Sequence, residues 1–209
     1  RLTQLFAELF NLMGDNGDNG GVLEIHSRKS QSHRSKSSDK FRDGFRKIMF
    51  TSDVTARGMD YPDVSRVVQV GMPSTKEQYV HRLGRTARAG KSGDGVLLLC
   101  DFEAQYFLNQ VRDQPLQRRA AWADADAVQR GAGLLQQAID RLPEKTLAMG
   151  YQAWLGFYNS HLRKLRWSSR DLVDRANDWV TRCCHARETP SLQARARLSL
   201  SLSLSLFFH

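Results

Sequence analysis

Two blocks of residues carry chemistry by type and spacing. The first, Ser52-Asp53-Val54-Thr55-Ala56-Arg57-Gly58-Met59-Asp60, follows a short apolar run, and the second, His81-Arg82-Leu83-Gly84-Arg85-Thr86-Ala87-Arg88, closes a segment of helical pattern. A glycine beside an arginine at the C-terminal end of a strand lets the backbone approach a ligand closely. Arg85 and Arg88 stand three apart with Gly84 just before them. Two guanidinium groups so placed can converge on one polyanion, such as a triphosphate losing its γ-phosphoryl group. Either block alone is only suggestive, because paired arginines on helices are usually solvated. Together, in this order and at this separation, they are specific.

Such blocks need a frame to hold them. Val22-Leu23-Glu24-Ile25, Ile48-Met49-Phe50, Val67-Val68-Gln69-Val70 and Val96-Leu97-Leu98-Leu99 are strand-length apolar runs separated by turn residues or helical pattern. Near-continuous apolar strands buried on both faces suit a parallel sheet covered by helices, so this part reads as α/β. Leu2, Leu5, Phe6, Leu9, Phe10 and Met13 recur at helical spacing until Gly14 to Gly21 break the pattern. Ser74-x-x-Glu77 reads as a capping box for the helix that ends in the second block. The stretch from Ser27 to Lys47 is polar and basic, with Phe41 and Phe45 on one helical face; a solvated helix face accounts for it equally well.

Near Gln114-Pro115 the composition shifts, and from about Ala120 the pattern is helical only. Leu147, Tyr151, Trp154, Leu155, Tyr158, Leu162 and Leu165 form one apolar face. Ser168-x-x-Asp171 caps a further helix carrying Leu172, Val173, Ala176, Trp179 and Val180. These aromatics read as core before they read as base-stacking surfaces. The apolar residues flanking Arg163-Lys164-Leu165-Arg166-Trp167, namely Leu162, Leu165, Leu172 and Val173, are expected to dock inward and leave the cations, with Arg170, outward. From Leu198 to Leu206 leucine and serine alternate without interruption. That is formally a strand with one apolar face, but it is also what a CT dinucleotide repeat encodes, and translated repeat is the preferred reading.

The chain has 209 residues and a formal net charge of +9, with 41% hydrophobic and 25% charged residues, as in ordinary globular proteins. The basic balance favours nucleic acid or an anionic membrane surface, or else marks an inert basic surface. No stretch is apolar and long enough to span a bilayer. The basic helices also lack the large apolar face that surface insertion needs, so no membrane partner is expected. Cys100, Cys183 and Cys184 have neither metal-ligand spacing nor a favourable bridging geometry, which points to a reducing intracellular compartment and no metal site. Without a targeting signal or an initiator methionine, the chain is expected to begin inside a structural element.

The two blocks resemble motifs V and VI of the DEAD-box helicases, TDxxARGxD and HRxGRxxR. His26-Ser27 with Gln31-Ser32-His33-Arg34 and Phe41 resembles the family's QxxR motif, and the likeness runs from Leu2 to Val111. It implies a truncated RecA-like parallel sheet with flanking helices over 1–114, an incomplete second helicase domain. An all-α basic extension over 115–190 and a low-complexity tail over 191–209, expected to be disordered, would follow. By the resemblance, Arg85 and Arg88 would be arginine fingers at the γ-phosphate of ATP, and His81 would couple the site to the DEAD motif of the partner domain. Asp60 would bind the ribose of ATP, and Arg57 and Gly58 would shape the loop between RNA and nucleotide. Gln31, Arg34 and the Ser52 hydroxyl would hold RNA phosphates. Ser52 stands where the family usually has threonine, and the hydroxyl survives.

The sequence has no GxxxxGK[ST] loop, no DEAD sequence and no strand carrying motif IV; Asp124-Ala125-Asp126-Ala127 is a coincidence of composition. In this family ATP and Mg2+ lie between two RecA-like domains, with the magnesium ligands in the N-terminal one, so that absent domain is an expected partner and this chain alone is expected to be inert. Tyr151 to Asn159 with the basic run after it resembles the C-terminal extension of fungal mitochondrial DEAD-box RNA chaperones. That likeness implies a mitochondrial location and adds Arg163, Lys164 and Arg166 as RNA-binding residues. The function implied is an ATP-dependent RNA helicase or RNA chaperone that remodels single-stranded or structured RNA by ATP-driven closure of two RecA-like domains. A non-catalytic RNA-binding fragment or regulator is the alternative, and the motifs do not separate the two.

Overall fold

The computed structural model describes residues 1–14, 21–53, 61–88, 90–119 and 124–191. Ser52 and Asp53 of the first block are therefore described, whereas Arg57, Gly58 and Asp60 lie outside the described residues, as does the Leu–Ser alternation. The chain divides into two compact units, one spanning 20–120 and the other joining the first 19 residues to those from 121 onward.

In the unit spanning 20–120, β1 (Val22–Ile25) pairs in parallel with β2 (Ile48–Thr51), Val22 opposite Ile48 and Ile25 opposite Thr51. A second parallel pair joins β3 (Arg66–Val70) to β4 (Asp94–Leu98), with Arg66 opposite Asp94 and ion-paired to it at 2.9 Å. Parallel neighbours need a crossover rather than a tight turn. Accordingly α2 (Gln31–Arg42) links β1 to β2, and α3 (Lys76–Leu83) links β3 to β4. The four strands fall where the apolar runs place them, but their burial differs from expectation. Ile25 and Gln69 are buried, whereas Ile48, Val68, Val70 and Leu98 are between 41% and 57% exposed. A two-stranded ribbon keeps an open edge on each strand, so an apolar strand sequence does not by itself secure two covered faces.

The start of α3 is also displaced by one residue. Thr75, not Ser74, is the N-cap, its hydroxyl accepting from the Gln78 amide at 3.2 Å, while the Ser74 amide donates to Gln78 Oε1 at 2.7 Å. Glutamine therefore does the reaching back that Glu77 was expected to do. Phe41 packs edge-on to Tyr61 at 5.1 Å, and Tyr61 Oη lies 3.0 Å from Ser38 Oγ. Phe45 does not share that face, because α2 ends at Arg42 and leaves it exposed in the following loop.

The core of this unit gathers under α4 (Asp101–Phe107), where Phe107 and Val111 are fully buried and Tyr79 meets Phe107 edge-on at 6.1 Å. A carboxylate sits among them. Glu103 is 1% exposed and accepts from the Met72 amide at 2.8 Å through Oε1 and from the Cys100 amide at 2.9 Å through Oε2. One side chain thus ties the loop after β3 to the start of α4.

The other unit is helical: α1 (Leu2–Met13), α5 (Ala125–Arg141), α6 (Glu144–Asn159), α7 (Leu162–Leu165), α8 (Ser169–Asp178) and a π-helical turn, Trp179–Cys183. α1 packs against α5 and α6 and buries Leu5, Ala7 and Leu9. The approach to α6 is close enough that a Cβ on Gly150 would lie 2.5 Å from Leu5 Cδ2. Asp124 caps α5 by accepting from the Ala127 amide at 3.0 Å, so the Asp-Ala-Asp-Ala string begins a helix. The aromatics are core: Trp154 stacks on Trp179 at 5.9 Å and on Trp167 at 6.5 Å, and Tyr158 leans on Trp154 at 4.2 Å. The Ser168–Asp171 capping box forms as expected. Leu162 and Leu172 are buried, but Val173 is 44% exposed, because it falls on the outer side of the short α8. None of the three cysteines is in a disulfide, and burial pushes the Cys184 thiol up to about 12. Among the described residues no helix is long and apolar enough to cross a membrane.

Replacing Glu103 with alanine would leave two amides unpaired. The expected loss is about 2–6 kcal/mol, at 1–3 kcal/mol for each orphaned buried group. Glu103→Gln, which keeps one carbonyl acceptor, should lose about half as much. Urea unfolding of the two variants beside the parent reads the difference, and equal midpoints for all three would contradict the clamp.

Candidate nucleotide and RNA interface

The second block is built on the last turn of α3 and the turn that follows. Arg85 and Thr86 amides donate to the Arg82 and Leu83 carbonyls, each at 3.1 Å, which tightens the end of the helix. Thr86 is buried and donates its hydroxyl to the Val64 carbonyl, anchoring the turn beside the start of β3. Ala87 adopts φ +54°, a left-handed backbone that costs a β-carbon-bearing residue about 1–3 kcal/mol and persists only where the surroundings impose it. The chain also passes close by this turn at Gly93, where a Cβ would collide with Thr86 Oγ1 and lie 2.7 Å from the Ala87 nitrogen. The two guanidinium groups are aimed by their own helix end, since Arg85 Nε donates to the His81 carbonyl at 3.3 Å and Arg88 Nε to the Gly84 carbonyl at 2.8 Å. Both arginines are half-buried and His81 is exposed. Cations at a helix C-terminus are favoured by its partial negative charge.

The described part of the first block is bound to the second. Asp53, two residues past β2, accepts from Arg82 Nε at 2.7 Å and Nη2 at 3.1 Å, and from Gln78 Nε2 at 2.9 Å. This forked ion pair is only partly shielded from water, so it contributes positioning more than stability. Sequence reasoning gave neither Arg82 nor Gln78 a role. The signal for Arg82 was present, as the acid Asp53 in one block and an extra cation in the other, but their pairing is non-local.

A second cluster lies at the C-terminal ends of β1 and β2. The Ser52 amide donates to the Ile25 carbonyl at 3.2 Å, which sets Ser52 beside the loop that follows β1. Ser30 caps α2 there, accepting from the His33 amide at 3.2 Å; Gln31 is exposed and Arg34 half-buried. Arg34 Nε is buried without a hydrogen-bond partner, and a guanidinium nitrogen in that state is a place for an acceptor. His26 closes the loop: its Nδ1 accepts from the Arg28 amide at 3.2 Å, and its Nε2 lies 3.4 Å from Glu24 Oε2, while Lys29 pairs with the other oxygen of that carboxylate. Burial holds His26 below the ordinary histidine pKa, opposed by Glu24.

In the helical unit, α7 ends on Arg166 at φ +56°, ψ +39°, and the Trp167 amide reaches back to the Leu162 carbonyl at 3.0 Å. This closure normally employs glycine at the left-handed position. Arg163, Lys164 and Arg166 are exposed on this turn, and the turn rests on aromatics: Trp167 lies 5.6 Å from Tyr158 and carries Arg175 over its face at 4.8 Å. Arg170, expected in the same cluster, pairs with Asp174 at 3.9 Å.

Residues 3–90 match the helicase conserved C-terminal domain. The chain is 46% identical over 179 residues to DEAD-box ATP-dependent RNA helicase 26 of Arabidopsis thaliana, an alignment covering 85% of this chain and 20% of that protein. DEAD-box ATP-dependent RNA helicase 25 of the same plant is equally similar, at 46% over 179 residues, with 85% and 30% covered. This chain belongs to the DEAD-box RNA helicases. Its fold is that of the RecA-like C-terminal helicase domain with an extension. The structure of Mss116p bound to ssRNA and AMP-PNP superposes with a TM-score of 0.73 at 23% identity, over 97% of this chain and 39% of that one. Mss116p DEAD-box helicase domain 2 bound to an RNA duplex gives 0.72 at 24% identity, over 97% and 78%. This DEAD-box chain spans 20% and 30% of the length of the two plant relatives.

His26 generates a pH dependence. Its folded pKa is depressed, so its contribution is present above the ordinary value near 6.5 and is lost as pH falls through that value toward the lowered one. Thermal midpoints should therefore drop between pH 7 and pH 5, and His26→Gln should flatten that slope. Superimposable pH profiles for the two proteins would remove His26 from the account.

Proposed function

We propose that this chain is the second RecA-like domain, with its extension, of an ATP-dependent RNA helicase that remodels RNA by closing on a preceding RecA-like domain. The observation that carries the reading is the second block's turn, which aims Arg85 and Arg88 from one helix end. The residues present fit the polyphosphate of a nucleotide: two oriented guanidinium groups meet its charge, and Arg82 and Asp53 hold that turn to the segment following β2. They do not fit a magnesium ion, because among the described residues no group of three His, Cys, Asp or Glu side chains could hold one. The family likeness, not this absence, is what assigns the magnesium ligands to the preceding domain. ATP, when bound, supplies the γ-phosphoryl group whose transfer to water drives the cycle.

For the remainder, this chain's own residues bind and orient. Arg85 and Arg88 neutralise charge on the terminal phosphate, and His81, on the same helix end, couples the turn to the opposing domain. The assignments of Asp60 to the ribose and of Arg57 and Gly58 to the loop between the ligands rest on the family likeness alone. Gln31, Arg34 and Ser52 take RNA phosphates at the C-terminal ends of β1 and β2, the usual location for ligands in parallel sheets. Such contacts read backbone and shape rather than sequence. Arg163, Lys164 and Arg166 are RNA contacts of the helical unit. Mitochondrial residence and a role as RNA chaperone, implied by the extension's likeness, belong to the same proposal; fractionation of cells against mitochondrial markers tests the first.

Joined to the N-terminal domain of a plant relative, the chain should hydrolyse ATP in response to RNA, whereas alone it should not. In the joined protein Arg85→Ala or Arg88→Ala should cut turnover by about three to five orders of magnitude, the span for losing an arginine finger. Normal turnover in both variants would sink the assignment of the second block.

The basic turn has its own test. Arg163→Ala, Lys164→Ala and Arg166→Gly together, glycine because that position is left-handed, should weaken RNA binding by a similar factor across unrelated sequences. The log–log salt slope should flatten by about 0.7 per lost single-strand contact. Identical affinities and slopes in parent and triple variant would leave the cluster a solvated surface.

A further inference from the structure

The loop between α2 and β2 carries a feature that neither block nor the basic turn accounts for. Phe45 is 82% exposed, more than any other exposed large hydrophobic side chain of the described residues. One face of its ring is covered by Arg46, whose guanidinium carbon lies 5.4 Å from the ring centroid. Arg46 has φ +53°, a backbone that favours glycine, and Gly44 before it is so enclosed that a Cβ would lie 2.5 Å from the Lys40 carbonyl and 2.7 Å from the Lys47 stem. The loop is therefore held in one form, and that form turns an aromatic ring into water. Around it stand Lys40, Arg42, Arg46 and Lys47 against Asp39 and Asp43, and Arg42 is paired to Asp39 at 3.0 Å.

We infer that Phe45 is a stacking contact for a base of single-stranded RNA, with Arg46 and Lys47 beside it for the flanking phosphates. Ring faces accept any base, and cations next to them hold the backbone, so the pairing of one exposed ring with two cations suits sequence-tolerant single strands. A protein anchor is less well matched. Aromatic hot spots on protein interfaces sit among other apolar groups that exclude water, whereas Phe45 stands between Gly44 and Arg46 with Asp43 and Lys47 next outward. The location is also new for this chain. Loop 43–47 lies at the N-terminal end of β2, and Ser52 follows its C-terminal end, four residues or roughly 13 Å of strand away. The N-terminus of α2 with Gln31 is likewise separated from the loop by the helix's 12 residues, roughly 18 Å. A strand held at Ser52 and Gln31 does not reach Phe45 through the same nucleotides, so Phe45 takes a segment outside that footprint.

The inference rests on the reading of this chain as RNA-binding, and the experiment separates the two. Affinity of the full 209-residue chain is measured for a mixed-sequence oligoribonucleotide and for a blunt RNA duplex, in parent, Phe45→Ala, Phe45→Trp and Arg46→Gly proteins, with circular dichroism as the folding control. Phe45→Ala should weaken single-strand binding on the order of tenfold, within the range for losing one stacked base, and leave duplex binding unchanged. Phe45→Trp should restore it, and Arg46→Gly should lower it while reducing its salt dependence. Ultraviolet crosslinking of the parent should place a nucleotide on the peptide carrying Phe45. A parent that binds no RNA would overturn the RNA reading and this contact with it. A parent that binds while Phe45→Ala binds equally well would overturn this contact alone and return Phe45 to a protein partner. Equal losses on duplex and single strand would also overturn it, since base stacking is unavailable in a closed duplex.

Discussion

Parallel pairing is the constraint from which the positions of the candidate residues follow. Two strands that run the same way cannot be joined by a hairpin, so the chain must return along the unit through a helix. In this protein both returns are short helices, and both carry chemistry at an end. α2 begins with Gln31 and Arg34 beside the ends of β1 and β2, and α3 finishes with His81 and Arg82 and delivers Arg85 and Arg88 in the next turn. The connections that the backbone requires are thus the places where side chains from separate strands are brought together. Asp53 makes this concrete, because a residue just past β2 reaches the first and the last turn of α3 through Gln78 and Arg82.

Charge in this chain is positioned by neutral structure. The arginines of the second block are directed by backbone carbonyls of their own helix, and the turn that holds them depends on a threonine hydroxyl and on Gly93, where a side chain would collide with that threonine. The basic turn of the helical unit follows the same plan with aromatics. Trp154, Tyr158 and Trp167 form a stack that fixes the closure at Arg166, so three exposed cations project from a rigid base. Long charged side chains lose less freedom on meeting phosphate when their attachment points are already fixed.

What could be read from the sequence depended on whether the determining contact was local. The four strands follow from β-branched and aliphatic runs bounded by turn residues, and the Ser168–Asp171 box follows from a three-residue reach. The α3 cap was misplaced by one residue because Ser74 and Thr75 are both competent caps and the choice falls to Gln78, whose reach to the Ser74 amide has no pattern of its own. Burial was read less well than element type. Val68, Val70, Leu98 and Val173 are apolar yet exposed, since periodicity reports which residues share a face but not whether anything covers it. The arginines of the second block were legible as a pair, while the Asp53 fork, the Thr86 anchor and the Gly93 approach each join residues distant in sequence.

The packing of α1 has a consequence for how the protein is made. Leu5 and Leu9 are buried against helices that lie on the order of a hundred residues further along, with Gly150 as the point of closest approach. A ribosome adds about 5–20 residues per second, so the apolar face of α1 waits roughly five to twenty seconds or more for its cover to emerge. During that interval the 20–120 unit, continuous in sequence, can complete its own core. α1 is therefore buried later than the unit that follows it in the chain, and a nascent chain presents that apolar face to folding factors after the 20–120 unit has closed its own core.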